Sequence, residues 1–133
     1  MSLIKLMLVD NNEVFKNGWR TLLQAQPEIE VVAETNSRAE AINILQTHHP
    51  DVVLMDITTV GMNEMEAIRQ LKACCPTVDI LPLVIHETVD HEKDLFFQMF
   101  KAGASGCIFS QAAAEDLLQA IRVVYCGEGY FTL

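Results

Sequence analysis

The sequence predicts an α/β domain, a five-stranded parallel sheet with helices on both of its faces. Three observations predict it. Short apolar runs alternate with amphipathic stretches from one end of the chain to the other, five times over. The runs are apolar throughout instead of alternating with polar residues, which is how strands read when helices cover both sides of a sheet. Connections are short, with no internal linker and no low-complexity segment, so the units belong to one layered body.

Each element follows in order. Ile4 to Val9 is the first apolar run, broken by Asp10-Asn11-Asn12. From Glu13 to Gln26 the positions Val14, Phe15, Gly18, Leu22 and Leu23 recur with helical spacing. Glu30 to Ala33 is a second strand. Ser37-Arg38-Ala39-Glu40 has the capping-box pattern and opens a helix with Ala41, Ile42, Ile44 and Leu45 on one side. His48 and His49 close that helix before Pro50, where partial positive charge suits the helix dipole. Asp51 to Met55 is the third strand, ending at Asp56. Asn63 with Glu66 repeats the capping logic ahead of Met65, Ile68 and Leu71. Ile80 to Ile85 is the fourth strand, and Asp94 to Ala102 is helical. Gly103-Ala104-Ser105-Gly106 is a turn and Cys107 to Phe109 a short fifth strand. Ala112 to Tyr125 is a helix that aligns Leu117, Leu118, Ile121 and Val124, with Gly127 as its C-cap. Five such units joined by right-handed crossovers give the flavodoxin-like, doubly wound order 2-1-3-4-5, with residues 1–133 as a single domain.

Composition narrows the function. A chain of 133 residues that is 50% hydrophobic and 20% charged is one globular domain and not a disordered tail. The longest apolar runs, such as Leu81 to Ile85, suit buried strands and fall far short of a bilayer span. The N-terminus has no charged stretch followed by an apolar segment, so a cytoplasmic protein is expected. Cys74, Cys75, Cys107 and Cys126 show no CxxC spacing and read as reduced small hydrophobes; the histidines form no ligand pattern. A net charge of −9 opposes binding to nucleic acid or to anionic membrane, so any contact with DNA must come from another domain.

In a sheet of this order the site lies beyond the C-terminal ends of the strands, at the switch point between strands 1 and 3. Asp10 follows strand 1 and Asp56 follows strand 3. Carboxylates that converge in one crevice repel each other, which calls for a shared proton or a cation. Oxygen donors suit a hard ion, magnesium or manganese. On position alone a plainer reading stays open, that both are loop aspartates near helix N-termini, where a carboxylate is stable anyway.

The residues themselves go further. Lys5-Leu6-Met7-Leu8-Val9-Asp10, with Asn11 where a second acid is usual, resembles the first strand and acidic pair of response-regulator receivers. Pro50-Asp51-Val52-Val53-Leu54-Met55-Asp56-Ile57 resembles the segment that carries their phosphorylated aspartate, and Ala102-Gly103-Ala104-Ser105-Gly106 the turn before their last strand. The resemblance covers essentially the whole chain. The ending Ile121 to Tyr130 is most similar to the receivers followed by a LuxR-type helix-turn-helix, an output domain expected to be absent from this chain.

That resemblance implies a phosphorelay and not an enzyme. A histidine kinase or phosphotransfer protein would donate a phosphoryl group to Asp56, the nucleophile. Magnesium would be held by Asp10, Asn11, Asp56 and the backbone carbonyl of Thr58. A homodimer is a candidate assembly, and transcription the process regulated. The hydroxyl that senses the phosphoryl group is Thr88 when counted back from the Gly103 turn, whereas counting from Pro76 selects Val84.

The pocket departs from the family pattern at four places. Asn11 supplies a neutral oxygen instead of a carboxylate; Ser110 stands where a lysine is expected. Val60 replaces a proline, and Cys107 occupies the usual aromatic switch position. A charge pair at 4 Å is worth about 4 kcal/mol at an effective dielectric near 20, so the first two changes predict weakly held magnesium and loose coupling through Ser110. The rival reading is a pseudo-receiver, the same fold acting as a phosphate-independent interaction module. A flavin or dinucleotide site would need a glycine-rich or Ser/Thr-rich loop after strand 1, and Asp10-Asn11-Asn12-Glu13 is acidic and lacks glycine. A haloacid-dehalogenase-like phosphatase would need its second aspartate at Asn12.

Overall fold

The computed structural model describes residues 3–9, 13–57, 62–84, 92–109 and 114–131, with side chains at 13–16, 38, 56, 57, 62–64, 92–96, 109, 114, 115 and 131 excepted. Strands and helices alternate: β1 (Ile4–Val9), α1 (Glu13–Gln24), β2 (Ile29–Thr35), α2 (Arg38–His48), β3 (Val52–Ile57), α3 (Met62–Cys74), β4 (Asp79–Val84), α4 (Glu92–Ala102), β5 (Gly106–Phe109), α5 (Ala114–Tyr125) and β6 (Tyr130–Phe131). All strand pairs are parallel and the order is β2-β1-β3-β4-β5-β6. The expected order 2-1-3-4-5 is present, and a two-residue sixth strand extends it on the β5 edge.

Alternation along the strands divides the interior into two layers. Met7, Val53, Met55, Ile80, Val84 and Cys107 pack with α2, α3 and α4. Leu6, Leu8, Val52, Leu54, Leu81, Leu83 and Ile108 pack on the other face with Leu23 of α1 and Leu117, Ile121 and Val124 of α5. Period two on a strand buried from both sides requires this split.

Local signals explain most element ends. Ser37 caps α2, its hydroxyl accepting from the Glu40 amide at 3.3 Å. The Ser37 N–H goes to Thr35 Oγ1 at 3.0 Å, so the buried Thr35 takes the place that the Glu40 carboxylate has in a full capping box. Gly127 (φ 91) ends α5 in a Schellman turn, with Glu128 N–H bonding Val123 O at 3.2 Å and Gly127 N–H bonding Val124 O at 3.0 Å. Gly103 (φ 112) ends α4 in the same way.

Some sequence expectations need correction. Gly18 is exposed on α1 and is no part of its apolar stripe; Leu23 is buried and Trp19 packs half-buried against the same layer. Asn63 lies inside α3, which has begun at Met62, so it is not the cap. β2 runs to Thr35 as an edge strand, with Glu30 exposed and Glu34 half-buried, and is not uniformly apolar. Asp51 precedes β3, where its carboxylate accepts from Lys5 N–H at 2.9 Å and ties β1 to β3. Gly106 belongs to β5 and not to the turn. Ile85, Ala112 and Ala113 lie outside the described residues.

Candidate functional site

Strand register defines the edge where a site can form. Val9, the last residue of β1, is opposite both Thr35 on β2 and Met55 on β3. Asp56 follows Met55 within β3 and pairs with Leu83; Ile57 pairs with Val84, which pairs in turn with Phe109. The C-terminal ends of all five principal strands therefore share one edge, and the backbone of Asp56 sits in the central strand at that edge. β3 holds this place because Val52, Val53, Leu54 and Met55 are buried on alternating faces and anchor the strand from both layers.

The other end of the sheet is stitched by polar groups. Asp51 O accepts from Asp79 N–H at 3.0 Å, Asp79 Oδ1 from Ser105 Oγ at 2.8 Å, and Ile80 O from Ser105 N–H at 2.9 Å. Asp51 and Asp79 are thus structural carboxylates, which separates them from Asp56 at the opposite end. Lys72 is also committed there, its Nζ donating to Val78 O at 2.6 Å. Sequence reasoning passed over Thr35 and Asp79 and read Ser105 only as part of a turn; for the last two, a polar residue abutting an apolar run was the available signal.

Among the predicted site residues, Asp56 is placed by its backbone and Cys107 in full. Cys107 is 0% exposed, inside the layer shared with α2, α3 and α4. Asp10, Asn11, Thr58, Val60, Thr88 and Ser110 lie outside the described residues. Val84, the alternative to Thr88, is a buried strand residue with no hydroxyl to sense a phosphoryl group. Among the described residues no group of three or more His, Cys, Asp or Glu is arranged to hold a metal ion. None of their helices is long and apolar enough to cross a membrane.

Residues 6–122 match the family model of the response regulator receiver domain. The chain belongs to that family. The receiver is 33% identical over 127 residues to the transcriptional regulatory protein DegU of Brevibacillus brevis, covering 96% of this chain and 52% of DegU. It is 34% identical over 128 residues to the response regulator UvrY of Escherichia coli, covering 96% of this chain and 57% of UvrY. The receiver thus spans about half the length of these curated relatives. Among solved structures it is similar to a LuxR-family two-component response regulator from Aurantimonas sp., with a TM-score of 0.86 and 30% identity over 97% of this chain and 89% of that one. The receiver is therefore of the two-component signalling kind, with relatives named as regulators of transcription.

Proposed function

We propose that this receiver accepts a phosphoryl group on Asp56 from a histidine kinase or phosphotransfer protein in the cytoplasm. The observation that carries the reading is the position of Asp56, the one carboxylate in β3, at the C-terminal edge of the central strand of a receiver sheet. A carboxylate oxygen of Asp56 attacks phosphorus, a P–O bond forms, and the P–N bond to the donor imidazole breaks as the electron pair returns to nitrogen. Asp56 is an acceptor that carries a signal and not a turnover catalyst. The whole protein, by analogy with its longer relatives, regulates transcription through a region outside this receiver.

The donor set suits magnesium. Asp10, Asn11, Asp56 and the carbonyl of Thr58 are all oxygen donors, the chemistry a hard divalent cation selects. When bound, the ion supplies charge neutralisation at the acceptor carboxylate and the phosphoryl oxygens. Asn11 contributes no charge, so magnesium is held weakly. Thr88, Ser110 and Cys107 are the candidate residues for sensing the phosphoryl group.

Intact mass after incubation with acetyl phosphate and magnesium tests the assignment. One phosphoryl mass is expected on the wild type and none on Asp56→Asn. A phosphorylated Asp56→Asn protein would remove Asp56 from the role, and an unmodified wild type would favour a phosphate-independent interaction module.

A further inference from the structure

β5 is four residues long, and its halves are held by different neighbours. The second half pairs with β4, Leu83 opposite Ile108 and Val84 opposite Phe109. One step back along each strand stand Pro82 and Cys107. Pro82 lies in the middle of β4 and has no N–H to give. The carbonyl of Ile80 faces β5, since it accepts from Ser105 N–H at 2.9 Å. Residues two apart on a strand offer their backbone groups to the same neighbour, so the donor that Pro82 lacks is one that would have faced β5. The first half of β5 is held from outside instead. Gly106 pairs with Tyr130 and Cys107 with Phe131, and Tyr130 N–H donates to Ser105 O at 3.3 Å.

Gly106 is fitted to this contact. The left-handed glycines among the described residues are Gly103 and Gly127, so Gly106 is not required by its own backbone. A Cβ there would overlap the Tyr130 carbonyl oxygen and lie 3.1 Å from the Tyr130 carbonyl carbon and amide nitrogen. The absent side chain is what lets β6 approach. Cys126, Gly127, Glu128 and Gly129, all exposed, connect α5 to β6. At its other end β5 reaches the candidate site, because Phe109 pairs with Val84 and Val84 with Ile57, the residue after Asp56.

We propose that the start of β5 is a docking edge for a parallel peptide strand, that residues 130–131 of this chain occupy it through Gly106, and that its occupancy is linked to the state of the pocket at the other end of β5. A strand this short, weakly tied to β4 at Pro82, has no segment in which a change at one end can be absorbed before reaching the other. The link is reciprocal: whatever shifts Phe109 alters docking of β6, and docking alters the pocket. The docking edge stands by itself, and the link rests on the phosphoryl reading above.

Residue-resolved amide exchange on the 133-residue chain is the test. In the wild type the Tyr130 amide, which donates to Ser105 O, should exchange about tenfold or more slowly than that of Gly129. Gly106→Ala should bring Tyr130 to the Gly129 rate while Ile108, in the half paired to β4, keeps its protection. Tyr130→Pro removes that donor without touching β5 and should speed exchange of the Cys107 amide, which the Gly106–Tyr130 register turns toward β6. Tyr130 equally protected in the wild type and in Gly106→Ala, or as fast as Gly129 in the wild type, overturns the docking edge. Beryllofluoride with magnesium then probes the link, with expected movement of the Ile57 and Val84 amides and a changed exchange rate at Tyr130 in the wild type. Pocket amides that move while Tyr130 is unaffected overturn the link and leave the phosphoryl reading standing; no movement anywhere overturns both.

Discussion

On the face covered by α2, α3 and α4 the buried layer contains Met7, Met55, Met65 and Met99, with Ala41, Ala67, Ala102, Ala104 and Cys107, alongside branched residues such as Val53, Ile68, Leu71 and Ile80. On the face covered by α1 and α5 the layer is leucine, isoleucine and valine with one alanine, Ala120, and holds no methionine or cysteine among the described residues. Thioether side chains have more rotatable bonds and fill irregular gaps, whereas branched side chains in defined rotamers interlock. The methionine-bearing face is therefore the more adaptable of the two and the other the firmer. Cys107, the candidate switch residue, lies in the adaptable face, while β3, which positions Asp56, is anchored from both. A receiver that must alter one surface without losing its sheet is served by that division.

Three substitutions test the division, beginning with the largest expected effect. Leu81 is 0% exposed in the firm layer, and Leu81→Ala should lower the unfolding free energy by about 2–5 kcal/mol, read from the denaturant midpoint at unchanged slope. Met99 is 0% exposed in the adaptable layer, and Met99→Leu should cost less than about 1.5 kcal/mol. A penalty for Met99→Leu as large as that for Leu81→Ala would mean that both layers interlock equally. The firm face also carries a polar clasp, Arg122 Nε donating to Glu28 Oε1 at 2.6 Å between α5 and the α1–β2 connection. Arg122→Ala should cost about 0.2–1 kcal/mol and less in high salt, since both partners are substantially exposed. A larger, salt-insensitive loss would make the clasp part of the packing that firms this face.

The fold was legible because burial writes itself into the sequence as apolar runs. Ile4 to Val9, Val52 to Met55 and Ile80 to Val84 need no partner to be recognised as strands. β6 was not legible for the opposite reason. Tyr130 and Phe131 are too few to show a period, and their docking depends on a side chain that Gly106 does not have. The start of α3 was misread because Asn63 and Glu66 satisfy the capping spacing from positions already inside the helix, and spacing alone does not say where the helix enters. Of the site, sequence order was enough to put Asp56 at the end of β3. The identity of Asn11, Thr88 and Ser110 is equally plain in the sequence, but their roles came from resemblance, since a loop residue has no periodicity to anchor it.

The joint between α2 and β3 has little room for change. His49 closes α2 in the left-handed region, at φ 48 and ψ 55, a conformation that costs an ordinary side chain about 1–2 kcal/mol. Pro50 follows and is buried, and Asp51 N–H bonds Lys5 O at 2.7 Å. Helix end, reversal, proline and strand entry thus fall on consecutive residues, each with one task. A residue inserted there would shift the register that brings Asp56 to the edge of the sheet, so length variation should be tolerated better between Cys126 and Gly129 than between His48 and Asp51.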